Sequence, residues 1–519
     1  MLTDNASLPD LIYTKKILTK VFKVAKKIDK KDSNQAQIDE LMKKAVNLHR
    51  KDQLDAAVGI YKDVLEIRPG FIPAIGMLGT ALGQMGQFDS SVKLLQEAIK
   101  KKPDYAVYYN NLASTYIQSK KYKEALEIIK KAIHLDGNYV DAQNTMGVIL
   151  GHLDRYDEAL EAYAKSLEIK SDEPETLIKI ALLHHLFNKL DLAIETIDKV
   201  INKYPDHNNA IFIRSLTNLK KGNFKQGWKD YESRLNKFNI KTHHKQPIWQ
   251  GEELKGKIIM IFSEQGLGDT INFSRYAKLV LDKNPAHVVL RVQEPLVDLL
   301  KHSKFFEKIT IIPPNKKPQN FAYQVPILNL PGLFNTNADT IPGFASYIDP
   351  DPSRVEFYKE KLKKIKKIKV GLVWRGNPDY LRDDIRSIEL KDFLPYLDHP
   401  KIQIVSLQKQ KAPHDQKALK NNKKVIDFMD DVETFSDTAG IIANLDMVIS
   451  VDTSVAHLSG AMGQHTWTLL PFSPDWRWLM YRDDTPWYPS MRLFRQKSVG
   501  DWLPVLESIK ESLIKVVKK

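Results

Sequence analysis

Cysteine is absent from the 519 residues. That excludes disulfides, a thiol nucleophile, and zinc or iron–sulfur sites held by thiolates. It also fits a reducing, cytoplasmic compartment. No apolar run approaches the roughly 18 residues a membrane-spanning helix needs. The N-terminus lacks the uninterrupted apolar core of a secretory signal. Acidic charge is in deficit: 78 Lys and Arg stand against 64 Asp and Glu, a formal net charge of +14. Such an excess favours anionic ligands or surfaces, whether nucleic acid, nucleotide-sugar phosphates or anionic lipid. Zinc-finger and RNP-like motifs are missing, which leaves nucleic acid the weakest of these three. His184-His185 has no second ligand pair at metal-like spacing, so neither a metal site nor a cofactor is expected.

What is present begins with a basic stretch. In Leu11–Lys31, residues Leu11, Leu18, Val21, Phe22, Ala25 and Ile28 can share one helical face, with most lysines elsewhere. Such a helix either caps the next domain or lies on a membrane surface as a peripheral contact, and the packing reading is preferred.

From about Ile38 to Arg234 the sequence repeats every 34 residues. Small residues recur at Ala45, Gly79, Ala113, Gly147, Ala181 and Ser215, and again at Ala57, Ser91, Ala125, Ala159, Ala193 and Gly227. Bulky ones recur at Leu54, Phe88, Tyr122, Tyr156, Leu190 and Phe224. Small residues let two short helices cross closely, and a bulky one wedges between them. No unit buries its face alone, so units must stack. Pieces such as NLASTYIQSKKYKEALEIIKKAIHLDG resemble the tetratricopeptide repeat family. The resemblance implies a superhelix with first helices lining its concave side. Asn110, Asn111 and Asn144 lie on first helices, where their amides would hold an extended peptide; solvated polar residues are the preferred alternative.

The C-terminal half alternates strand and helix patterns. Apolar runs at Ile258–Phe262, His287–Val292, Lys308–Ile312, Gln324–Leu330, Val370–Trp374, Ile402–Leu407, Met447–Val451 and Thr466–Leu470 predict parallel strands in two α/β halves. Ligands bind such sheets beyond the strand carboxyl ends. Three loops would meet there: Gln265-Gly266-Leu267-Gly268-Asp269, the stretch Trp374–Ser387, and Asp452–His457. Gly266 and Gly268 would permit close approach and positive φ. Asp269 is either the cap of the following helix or a reactive carboxylate. Thr453 and Ser454 would offer free helix N–H groups to a diphosphate. Arg386 would add a charge-assisted contact, or else pair with Asp383 or Asp384. His457 either points at the cleft or is a satisfied interior histidine.

EQGLGD, with WRGNPDYLRDDIRS, SVDTSVAHLSGAMG and DWRWLMYRDDTPWYPSMRLFRQ, resembles bacterial tetratricopeptide-repeat proteins carrying a glycosyltransferase family 9-like domain, relatives of the ADP-heptose heptosyltransferases. The resemblance covers Lys257 to the C-terminus. It implies α + α/β architecture: an α-solenoid, then a GT-B pair of Rossmann-like halves, inverting and metal-independent. It implies Asp269 as base and Asp452, Thr453 and His457 at the donor phosphates, with Arg386 matching more loosely. Ser454 departs from the family's glycine, and its Cβ narrows backbone approach. The implied partners are a nucleotide sugar and a protein or cell-surface glycan acceptor. A non-catalytic scaffold with a degenerate cleft is the alternative. The expected division is a basic segment 1–37, repeats 38–236, a linker 237–256, and halves 257–355 and 356–519.

Overall fold

The structure is a computed structural model, and it describes residues 35–240, 244–316, 318, 320–378, 382–422 and 424–518. The basic helix expected at Leu11–Lys31 lies outside them. The chain divides into two compact units, one ending at Lys203 and one running from Tyr204 onward.

The first unit consists of antiparallel helix pairs: Gln35–Arg50 with Leu54–Ile67, Ile72–Gln84 with Phe88–Lys101, Ala106–Gln118 with Tyr122–Leu135, Val140–His152 with Tyr156–Ile169, and Pro174–Leu186 with Leu190–Lys203. Each bulky residue of the 34-residue series is the first residue of a second helix. The small residues sit where helices touch: a Cβ added to Gly147 would fall 2.5 Å from the Tyr163 ring, and one on Gly79 3.0 Å from Leu95. A second periodic feature is conformational. Asp52, Gly86, Lys120, Asp154 and Asn188 all have φ between +58° and +76°, one per pair, in the turn before the second helix.

The expectation for Asn110, Asn111 and Asn144 is corrected here. They are only 0%, 3% and 4% exposed. Asn111 donates to Thr80 Oγ1 at 3.0 Å, and Asn144 Oδ1 accepts from Thr176 Oγ1 at 3.0 Å. The Asn111 and Asn144 amides stitch one helix pair to the next and the Asn110 amide is fully buried, so none of the three is presented to an extended peptide. His184 is likewise buried and meets the Tyr156 hydroxyl at 2.7 Å.

The second unit opens with one more repeat-type pair, Asn208–Lys221 and Phe224–Tyr231, which share a core with the α/β region. Two wholly parallel sheets follow. With β1 Ile258–Phe262, β2 His287–Arg291, β3 Ile309–Ile312 and β4 Tyr323–Pro326, the first sheet has the order β3-β2-β1-β4. With β5 Ile368–Val373, β6 Ile402–Ser406, β7 Val425–Asp427, β8 Met447–Val451, β9 Thr466–Leu470 and β10 Met491–Arg495, the second has the order β10-β9-β8-β5-β6-β7. In both, the order reverses beside the sheet's own first strand, the doubly wound arrangement that opens a crevice at the strand carboxyl ends. The segment around Ile248 is more than a tether. Trp249 N–H donates to Gln324 O and Gln324 N–H donates to Pro247 O, which covers the β4 edge.

One expected strand ends early, and two strands are unexpected. The run expected through Leu330 leaves the strand at Pro326 and continues as helical turns, with Pro331 in the first turn of Leu330–Leu333. β7 and β10 are strands that the apolar pattern does not announce.

Candidate functional site

The two switch points bring the three loops together. Beyond β1, the chain turns into the helix Leu267–Ser274. Beyond β8, it turns into Ser454–Ala461, and these two helices pack against each other. A cavity of about 140 Å³ lies at their amino ends, lined by Gly268, Asp269, Arg386, Asp452, Thr453, Ser454 and His457 together with Arg382, Ile385, Pro471, Ser473, Asp475 and Arg477. A larger opening of about 670 Å³ adjoins it and shares Gly268, Arg386, Thr453 and Ser454; Gly266 lines only this one.

The glycines act through space, not through backbone conformation. Gly266 has φ −67°, and Gly268 lies inside the helix. A Cβ on Gly268 would stand 2.8 Å from His457 Cδ2 and 3.4 Å from Ser454 Cα, so glycine permits the helix contact itself. This corrects the expectation of positive φ at both positions.

Asp269 is the third residue of its helix, and its Oδ2 accepts the Gly266 N–H at 3.0 Å. Its Oδ1 accepts from Arg477 Nη2 at 2.5 Å. Burial raises this carboxyl above the usual aspartate range while Arg477 pulls the other way. Arg477 also donates to Asp475 Oδ1 at 2.8 Å. Burial opposes the Asp475 charge too, but Arg477 and its backbone N–H outweigh it and hold that carboxyl low. Asp452 is raised by burial and by the neighbouring Asp475.

Thr453 is the extended residue before Ser454–Ala461, with φ −145° and ψ 169°. Its hydroxyl meets Ser450 Oγ at 3.0 Å and makes no side-chain cap, so the first helix N–H groups remain directed at the cavity end. Arg386 pairs with Asp383 at 3.0 Å and donates to Asp452 O at 3.2 Å. The ion-pair reading of Arg386 therefore holds, and the paired side chain also lines the cavity. Its guanidinium crosses Gly376, where a Cβ would fall 2.2 Å from Nη2.

His457 is an interior histidine on the cavity wall. Nδ1 lies 2.9 Å from the Tyr488 hydroxyl, and the ring stacks on Trp478 at 5.1 Å. Burial and the Arg477 charge push it down to about 3, so it is neutral near pH 7.

Sequence reasoning missed Ser473, Asp475 and Arg477 as cavity residues. The available signal was alternation. Pro471, Ser473, Asp475 and Arg477 face the cavity in turn, while Trp476 packs against Trp228, Tyr231 and Phe273. The tail also ties the halves, since Arg275 donates to Trp487 O at 2.5 Å. Among the described residues, Glu389, His414 and Asp415 have metal-like spacing. The Arg375 guanidinium already bonds all three.

The fold defines a class: an array of helix pairs recurring every 34 residues, followed by a parallel α/β region. Residues 15–211 match the family model of the tetratricopeptide repeat protein 21 C-terminal ARM domain. The chain is similar to Protein FlbA of Caulobacter vibrioides, 26% identical over 340 residues that cover 58% of this chain and 54% of that protein. It thus spans about half the length of this curated relative. Among solved structures it is similar to TTC0263, a thermophilic TPR protein of Thermus thermophilus, with 19% identity, a TM-score of 0.34, and coverage of 35% of this chain and 99% of that one. It is also similar to YrrB, described as a TPR protein with an unusual peptide-binding site, with 20% identity, a TM-score of 0.27, and coverage of 38% and 98%.

Proposed function

We propose that the second unit is an inverting glycosyltransferase of GT-B type, moving a sugar from a nucleotide-diphosphate donor to a protein or cell-surface glycan acceptor. One observation carries this reading: a carboxylate from the first sheet and a helix amino end from the second line one cavity at the switch points of both sheets. An acceptor hydroxyl would attack the anomeric carbon as the sugar–phosphate bond breaks. Asp269 would take the hydroxyl proton. Each carboxylate oxygen has a second acceptor direction beside its bonds to Arg477 and Gly266 N–H. Burial raises its basicity toward the working pH, a general-base role worth about 10²–10⁴ in rate. The departing diphosphate would be met by the N–H groups at Ser454 and by Arg386. The helix pairs of the first unit would recruit a protein acceptor or partner.

The test is nucleoside diphosphate release from a panel of sugar nucleotides in the presence of cell-envelope and protein acceptors. Asp269→Asn should lower turnover at least ~100-fold while leaving donor affinity within a few-fold. Undiminished turnover removes Asp269 as base.

A scaffold with an inert cleft is the second reading, and one observation favours it. Asp269 is held by Arg477 at 2.5 Å and Arg386 by Asp383 at 3.0 Å, so a ligand must compete with existing ion pairs. A scaffold predicts no saturable binding of any donor.

A further inference from the structure

Lys220 is 1% exposed, on the helix Asn208–Lys221 of the repeat-type pair in the second unit. Lysine is almost never fully buried unless paired, because its ammonium is costly to desolvate. Its Nζ donates to Ser473 Oγ at 2.6 Å, and Ser473 lines the cavity. Asp475 acts on it attractively and Arg495 repulsively. The next residues of the same segment are gripped by the same helix pair, with Trp476 edge-on to Trp228 at 5.2 Å and to Tyr231 at 6.0 Å.

We propose that Lys220 is a positioning residue of the cavity: by holding Ser473 it fixes segment 471–477, which carries Asp475 and Arg477 to their places beside Asp269. What that placement serves rests on the transferase reading; the positioning does not. Stability alone does not account for this lysine. A methionine would fill a similar volume without a buried charge, and replacing buried ionic groups by apolar ones of similar size is often neutral or stabilising. The consequence is a split: removing the ammonium should spare the fold and loosen the segment.

The experiment uses the full chain as wild type, Lys220→Met, Ser473→Ala and the double variant. Amide hydrogen exchange is read over 472–478, where Phe472, Arg477 and Trp478 N–H groups are hydrogen-bonded. Exchange there should rise at least tenfold in either single variant, because both remove the Lys220–Ser473 hydrogen bond, and the double variant should rise less than the two single effects combined. The melting temperature of Lys220→Met should not fall. Wild-type exchange rates in Lys220→Met overturn the proposal, and should that variant fail to fold, wild-type rates in Ser473→Ala do so. Calorimetric titration with inorganic pyrophosphate separates the two claims. Tenfold weaker binding by Lys220→Met supports the role at the cavity, and equal binding overturns it. Absence of binding by the wild type contradicts the transferase reading, and the exchange result then decides for Lys220.

Discussion

His457 shows how a residue's environment sets its chemistry. Its folded pKa of about 3 lies below the ordinary 6.5, chiefly because burial disfavours the imidazolium. Between these values the unfolded chain binds the extra proton, so this group's stability is full above pH 6.5 and is lost as pH falls toward 3. Calorimetry at stepped pH should therefore show His457→Gln gaining on the wild type between pH 7 and 4; a constant gap would refute the buried neutral state. Lys220 shifts the same way, from 10.5 to about 7, again through burial. Its contribution is greatest above pH 10.5 and declines as pH falls to 7. The advantage of Lys220→Met should therefore be largest near pH 7 and close towards pH 10. At this scale the sequence was half legible. Asp452, Thr453 and His457 could be read because they follow an apolar strand directly. Arg477 could not, because a Trp- and Arg-rich tail suits both packing and binding, and here one segment does both on alternate residues.

Elements were legible where a period repeats. The 34-residue series disclosed the helix pairs, and the structure adds that each wedge residue is the first residue of a second helix. The left-handed turn positions were less visible, because Asp52, Gly86, Lys120, Asp154 and Asn188 share a conformation and not a side chain. Lys120 is the one without the small or short polar group that tolerates φ of +60°. Lys120→Gly should stabilise the first unit by up to ~1 kcal/mol in thermal denaturation. At the helix contact, Gly268→Ala should cost ~1–3 kcal/mol by overpacking against His457. Gly266→Ala should cost less, since its Cβ would meet only Asp269 Oδ2 at 3.3 Å. Equal losses would show that the contact does not depend on Gly268. β7 and β10 escaped for a physical reason. β7 has three residues, and β10 reads MRLFR, in which Arg492 and Arg495 leave only Leu493-Phe494 as an unbroken apolar pair.

For the whole molecule, the order of strands explains why distant loops converge. Each sheet reverses beside its first strand, so the loops after β1, β5 and β8 leave at the crevices. That convergence follows from alternating strand and helix patterns, which the sequence displays openly. The helix pair at the start of the second unit does not follow from them. It continues the 34-residue series, yet its buried Lys220, Trp228 and Tyr231 serve the α/β core and the segment beside the cavity. A period records what a helix pair is built from and leaves open which core it joins. No helix among the described residues is long and apolar enough to cross a membrane.

The most direct test of the cleft as a diphosphate site is calorimetric titration of the full chain with ADP, UDP, GDP and their sugar conjugates. We expect saturable one-to-one binding of at least one of them, weakened at least tenfold by Arg386→Ala. A flat titration with every member of the panel would contradict the account and leave a helical array joined to an inert α/β unit.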